Sequence, residues 1–128
     1  MTRKTPLLTA ACLVMSLVLT TNIARADEHT ANPYVLINPF TVPAGKLDET
    51  IAMWEQARDF LQKEPGYIST ALHQSVSLDA QYRLINVAQW ESVETYTAAT
   101  KKMRSEANLP RIEGVRPAPA LYTVIRTD

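Results

Sequence analysis

The chain has 128 residues, 13 basic and 13 acidic side chains, and a single cysteine. That length suits one ordinary domain, and a net charge of zero leaves no basic excess to cover a nucleic-acid backbone. Three glycines and eight prolines exclude collagen-like and low-complexity classes.

Arg3 and Lys4 open the chain, and Leu7 to Thr20 follows as an uncharged, mostly apolar run of 14 residues. Ala24-Arg25-Ala26 then supplies small residues at the two positions a signal peptidase reads. This order is that of a secretory signal, with cleavage expected after Ala26. A membrane anchor would need an apolar run of about 20 residues. Cys12 has Thr9 upstream, where a lipoprotein signal wants an aliphatic residue. Cleavage would leave Asp27 to Asp128, a chain of 102 residues without cysteine. Three of the 13 basic residues and none of the 13 acidic ones would leave, so the net charge becomes −3. The expected address is the periplasm or the medium, with no membrane attachment after cleavage. Without disulfides, such a protein is held by its core alone.

Asp27 to Pro33 reads as a loose polar tail, and residues 34–128 as the domain. Tyr34 to Phe40 reads as a strand, with Val35 and Ile37 on one face and Tyr34, Leu36, Asn38 and Phe40 on the other. Pro39 lacks a donor, so the strand is expected to end there or to run at an edge. After the break at Pro43-Ala44-Gly45, Leu47, Ile51, Trp54, Ala57 and Leu61 recur at helical spacing, with Phe60 widening the stripe. They predict a helix over 46–63, with Asp48 and Glu49 in its first turn and a stop at Glu64-Pro65-Gly66.

Tyr67 to Val76 alternates as a strand, Ser77 to Gln81 is a turn, and Tyr82 to Gln89 completes a hairpin. Ser92 is the expected cap of a second helix over 93–103, which presents Val93, Tyr96, Thr100 and Met103 on one side. Residues 105–119 read as an irregular link, either a cover for a pocket, a dimer arm or a simple connector. Ala120 to Arg126 is a last strand. The order is strand, helix, strand, strand, helix, strand: an α+β, ferredoxin-like βαββαβ domain with an antiparallel four-stranded sheet and two helices on one face.

Both faces of the sheet carry apolar residues. In the Tyr82–Gln89 strand, Ile85 and Val87 oppose Tyr82, Leu84 and Ala88. A half-solvated sheet alternates cleanly, and two helices cover only one face. A second copy is the simplest cover for the other, with each large side chain hidden worth about 1.5–3 kcal/mol. The expected assembly is a homodimer packed sheet to sheet.

Asn38-Pro39-Phe40, Glu64-Pro65-Gly66-Tyr67-Ile68-Ser69, Leu72-His73-Gln74-Ser75 and Val87-Ala88-Gln89-Trp90-Glu91-Ser92 together resemble the antibiotic biosynthesis monooxygenase family. The resemblance spans residues 34–125. It implies a dimeric α/β barrel, with members that are cofactor-free oxygenases of phenols or quinols, haem-degrading enzymes, or proteins of no established activity. It also implies that Asn38 and Trp90 are pocket residues and that the pocket lies on the helix side of the sheet. The haem-degrading branch needs an iron-ligating histidine on the second helix. The matching stretch, Thr100-Lys101-Lys102-Met103, has none, and a protonated lysine has no lone pair to offer.

By strand parity Asn38, Asn86 and Trp90 share that face. An amide can hold a substrate oxygen and an indole can wall an aromatic ring; equally, Asn38 can bond strand-end backbone and Trp90 can be plain core. His73 is the only histidine within the domain, and its titration range suits a base that strips a phenolic proton; a solvent-facing strand histidine is the alternative. Tyr67, Tyr82 and Tyr96 are further candidates for the pocket wall, and Arg83 for steadying an anion. A free amino terminus at Asp27-Glu28-His29 would form a square-planar Cu(II) or Ni(II) chelate, with His29 as the third-position ligand. No other metal cluster, phosphate loop, serine nucleophile motif or cofactor cradle is visible, so no cofactor is expected. The sequence thus points to an exported, homodimeric, cofactor-independent monooxygenase of a small phenol or quinol. In that reading His73, Asn38 and Trp90 are catalytic, and Asn38, Trp90, Tyr67, Tyr96 and Asn86 bind substrate. The alternative is a dimeric module that binds a small aromatic ligand or haem without turnover.

Overall fold

The computed structural model describes residues 32–128. The signal segment, the start of the polar tail and the His29 chelate lie outside the described residues. The elements are β1 (Tyr34–Thr41), α1 (Leu47–Leu61), β2 (Tyr67–Gln74), β3 (Leu84–Trp90), α2 (Val93–Glu106), β4 (Arg116–Pro117) and β5 (Ala120–Tyr122). All strand pairs are antiparallel; β3 lies between β2 and β1, and the other side of β1 takes β4 and β5. This is the expected ferredoxin-like order, with the last strand divided in two. Among the described residues no helix is long and apolar enough to cross a membrane.

The division has a local cause. Phe40 pairs with Pro117 and Ile37 with Ala120 in one continuing register, which brings Ala118 opposite Pro39. The Ala118 N–H donates to the Pro39 carbonyl at 3.0 Å, but the reciprocal bond needs an N–H that proline lacks. Pro117 and Pro119 also lack an N–H, but next to Ala118 theirs would point away from β1. Pro39 therefore neither ends β1 nor marks an edge, contrary to expectation: β1 is central and runs on to Thr41. In an antiparallel ladder a residue's N–H and C=O point to the same side, so the missing donor falls on the divided strand and leaves the β1–β3 ladder complete.

The inner face of the sheet holds the core. Leu36, Phe40, Leu84, Ala88 and Trp90 are buried there, and Ala99 of α2 packs onto them. A bulge at Ile68 changes the register of β2 against β3 between Tyr67 and Ser69. It turns Tyr67 to the inner face, against Trp90, while Ile68 goes to solvent. Ser92 caps α2 as expected, its Oγ accepting from the Thr95 N–H at 3.1 Å. The helix runs one turn further than its apolar stripe, and Ala99 rather than Val93 is its buried anchor. Lys102 of α2 reaches Glu64, just past α1, at 2.8 Å.

The outer face carries Val35, Ile37, Ile85 and Val87 half-buried, with Tyr122 beside them half-exposed. His73 sits in this face too, directly opposite Ile85 across the strand pair.

Gly66 sets the distance between β2 and α2. Its φ is +82°, and a Cβ there would collide with the Oγ1 and Cβ atoms of Thr95. Left-handed backbone costs a residue with a Cβ about 1–2 kcal/mol, and crowding a packed contact about 1–3 kcal/mol. Gly66→Ala should therefore destabilise the fold by about 2–5 kcal/mol. A fall in the urea midpoint at unchanged slope is the expected result.

Candidate functional site

A cavity of about 240 Å³ lies between the inner face of the sheet and the two helices. An apolar cavity of about 150 Å³ admits benzene, so a substituted single ring fits. Sites for drug-sized ligands span about 300–1,000 Å³. Leu36, Phe40 and Ala88 form the floor, Met53, Trp54 and Leu61 come from α1, and Thr100 and Met103 from α2. Leu109, Pro117 and Pro119 line it as well, so the segment after α2 is part of the wall.

Trp90 anchors the wall. It is 1% exposed, with Tyr67 and Tyr96 edge-on to its ring at centroid distances of 5.6 and 5.5 Å. This is the favoured geometry for aromatic quadrupoles. Its Nε1–H is buried and has no acceptor among the described residues. An orphaned buried donor costs about 1–3 kcal/mol, and an acceptor on a ligand reaching it would recover that cost.

Asn38 and Asn86 pair across β1 and β3 and both line the cavity. Each spends its carbonyl oxygen on the protein. Asn38 Oδ1 accepts from the Ala118 N–H at 3.1 Å, and Asn86 Oδ1 accepts from the Thr70 hydroxyl at 2.6 Å. The amide NH2 groups are the uncommitted ends. Asn86 is 7% exposed, so its amide is held in a largely dry setting.

The cavity gathers Asn38, Asn86, Trp90, Tyr67 and Tyr96, and it excludes three candidates. His73 projects from the opposite face of the sheet, where its Nδ1 lies 3.3 Å from the Ile85 carbonyl oxygen. A ligand in the cavity of the same subunit is beyond its reach, which removes His73 as the base there. Tyr82 stands beside Gln81 at the hairpin. Arg83 braces that hairpin through Ser75 Oγ at 2.8 Å and the Ser77 carbonyl at 2.5 Å. Sequence reasoning missed Thr70, Arg58 and Arg104, all on the cavity wall. Arg58 continues the stripe of Trp54, Ala57 and Leu61, and Arg104 follows Met103, so helical spacing carried a signal that their charge masked. Thr70 falls on the inner face by strand parity alone.

Burial raises the Tyr96 phenol above its ordinary value, and the Arg104 charge pulls it partly back. Tyr96 therefore stays protonated at neutral pH. The wall offers iron no imidazole, thiolate or carboxylate; its possible iron ligands are the phenols of Tyr67 and Tyr96 and the thioethers of Met53 and Met103, and no cluster of three His, Cys, Asp or Glu occurs among the described residues.

The family profile of antibiotic biosynthesis monooxygenases matches residues 33–106. The chain belongs to this family. A candidate monooxygenase from Shewanella loihica PV-4 is 51% identical over 75% of this chain and 97% of that one, with a TM-score of 0.69. SnoaB, a cofactor-independent oxygenase from Streptomyces nogalater, is 19% identical over 76% of this chain and 97% of its own, at TM-score 0.56. The haem degrader MhuD of Mycobacterium tuberculosis is 23% identical over 75% of this chain and 99% of its own, at 0.57. At such identities the last two share the fold alone. No curated protein matches the chain by sequence.

Removing the Thr70 hydroxyl (Thr70→Val) or the Asn86 amide (Asn86→Leu) should each cost about 1–3 kcal/mol, since each leaves a partner unpaired. The double variant should cost less than the two summed, by about 0.5–1.5 kcal/mol. Additive losses in chemical denaturation would show that the bond is not made.

Proposed function

We propose that this family member is a cofactor-independent monooxygenase of a small phenol or quinol. The observation that carries the reading is the ring-sized cavity in which Trp90 and two amide NH2 groups meet. Trp90 walls the ring, and Asn38 and Asn86 hold its oxygen. The substrate supplies the electrons. A phenol bearing a ring C–H and one O2 give a quinone and one water: one dioxygen atom becomes the new ring carbonyl, and the other leaves as water with the phenolic and ring hydrogens. Activation rests on an electron-rich ring passing an electron to O2 in a site that excludes water, and the apolar floor supplies that exclusion.

The reading includes export after cleavage at Ala26, and a homodimer formed through Val35, Ile37, Ile85 and Val87. Half-buried aliphatic residues on a sheet face that no helix covers support the dimer. Sedimentation at high dilution should show a dimer, and Ile37→Glu together with Val87→Glu should give monomers. A wild-type monomer at high dilution would remove the sheet-to-sheet pairing.

A second reading, a module that binds an aromatic ligand without turnover, draws on the lack of a carboxylate or imidazole in the cavity wall. Oxygen uptake separates the two. With a panel of phenols and quinols the wild type should consume O2. Asn38→Ala and Asn86→Ala should each lose about 100-fold or more, the usual cost of one preorganised donor. Trp90→Phe should lose less, and His73→Ala should stay at wild-type rate. Equal rates in all variants would take these residues out of the reaction. Thermal stabilisation by a ligand with no uptake would leave the binding module.

A further inference from the structure

The two amides on the cavity wall are held by partners of different kinds. Asn38 Oδ1 accepts from the Ala118 backbone N–H at 3.1 Å. A backbone N–H only donates. Were the Asn38 amide turned over, its NH2 would face that N–H, donor against donor. Asn38 is therefore locked, with its oxygen towards the segment after α2 and its NH2 left for a ligand.

Asn86 is held by a hydroxyl instead. Thr70 of β2 lies diagonally from Asn86 of β3, whose direct partner is Leu72. Its Oγ1–H donates to Asn86 Oδ1 at 2.6 Å. A hydroxyl both donates and accepts, and its hydrogen rotates to suit. With the Asn86 amide turned over, Nδ2 donates to Thr70 Oγ1 along the same contact. The hydroxyl hydrogen is then free to turn to the cavity, whose wall Thr70 shares. No other side-chain bond of Thr70 or Asn86 occurs among the described residues to favour one sense over the other.

The difference decides how one ring oxygen can be met. A hydroxyl needs an acceptor for its hydrogen, whereas a carbonyl needs donors for its lone pairs. Burial keeps the wall's own phenol, Tyr96, neutral, so a guest hydroxyl beside it keeps its hydrogen. The wall has no carboxylate or imidazole to receive that hydrogen, and Asn38 is locked as a donor. Asn38 and Asn86 stand directly opposite each other on β1 and β3. With the Asn86 oxygen inward, a hydroxyl accepts from Asn38 and donates to Asn86. With the Asn86 NH2 inward, a carbonyl oxygen accepts from both.

We propose that Thr70 determines what this pair of amides accepts: its hydroxyl holds Asn86 in either sense, so that one ring oxygen is bound both as a hydroxyl and as a carbonyl. Thr70 acts through Asn86 and is a positioning residue. The inference rests on the phenol-binding reading of the same cavity but does not require turnover. It adds a second ligand class, flat rings whose oxygen is a carbonyl, which is the state of the phenolic oxygen once its hydrogen has gone.

The test uses two flat rings of like outline, under nitrogen. One is 3,5-dimethylphenol, which carries a hydroxyl; the other is 2,6-dimethyl-4-pyranone, which carries a carbonyl at the matching position. The full chain should bind both, with dissociation constants within about tenfold of each other. Nuclear Overhauser contacts of the Asn86 side-chain amide then report its sense. In the pyranone complex its Nδ2 hydrogens should contact the ring hydrogens beside the ligand oxygen; in the phenol complex they should contact Thr70. Thr70→Val removes the holding bond in both senses and should weaken both rings by a similar factor, about 2–10-fold, the cost of ordering one freed side chain. Thr70→Ser keeps the hydroxyl and should bind both as the wild type does. Amide hydrogens facing the ligand in both complexes, binding of one ring alone or of neither, or a Thr70→Val loss that is absent or confined to one ring would each overturn the proposal. Reversal of the amide without oxygen uptake from any phenol in air would retain it and remove the monooxygenase reading; uptake with the amide unmoved would do the reverse.

Discussion

The indole of Trp90 is the joint on which this fold and its cavity both depend. It closes β3, meets Tyr67 at the head of β2 and Tyr96 in the first turns of α2, and belongs to the cavity wall. Each edge-to-face contact is worth about 0.5–1.5 kcal/mol beyond area, so three elements are held at one ring. Gly66 lets β2 approach closely enough to Thr95 for this to happen, and the bulge at Ile68 aims Tyr67 inward. The cost of the arrangement is one buried N–H without a partner. The ring that joins these elements thus also forms part of the cavity wall.

The order of elements was legible because each carried its own period. Leu36, Asn38 and Phe40 alternate with Val35 and Ile37, Trp54, Ala57 and Leu61 recur at helical steps, and Ser92 announces a helix with its cap. The cavity was legible in part by the same parity, which put Asn38, Asn86 and Trp90 on one face. Parity failed where the backbone departs from it: Tyr67 reaches the cavity through a one-residue bulge that no alternation reveals. His73 shows the limit of choosing by chemical type. An imidazole is a natural choice of base, but pairing with Ile85 fixes it on the other side of the sheet. Strand parity places His73 with Ser69 and Ala71, opposite in sense to Thr70 and Leu72.

Arg58 and Arg104 illustrate a different blind spot. Charged residues on helices are solvated far more often than not, so a stripe is read from its apolar members alone. Long basic side chains lay their stems along apolar surface and keep the charge at its margin. That geometry lets a cavity with a greasy floor carry a positive rim. The family fixes the shell of such a site, and the polar groups set into the wall decide what it accepts.

The gap opposite Pro39 has a consequence for how this edge of the domain can change. Because the absent proton belongs to the central strand, no substitution among Arg116 to Ala120 can complete the ladder there. Ala118 is left with one N–H shared between the Pro39 carbonyl and the Asn38 side chain, at a place where Pro117 and Pro119 already border the cavity. The rim is therefore inherited from β1. Closing that notch would require a residue with an N–H at 39, and until it arrives this margin of the cavity stays outside the sheet's own cooperativity.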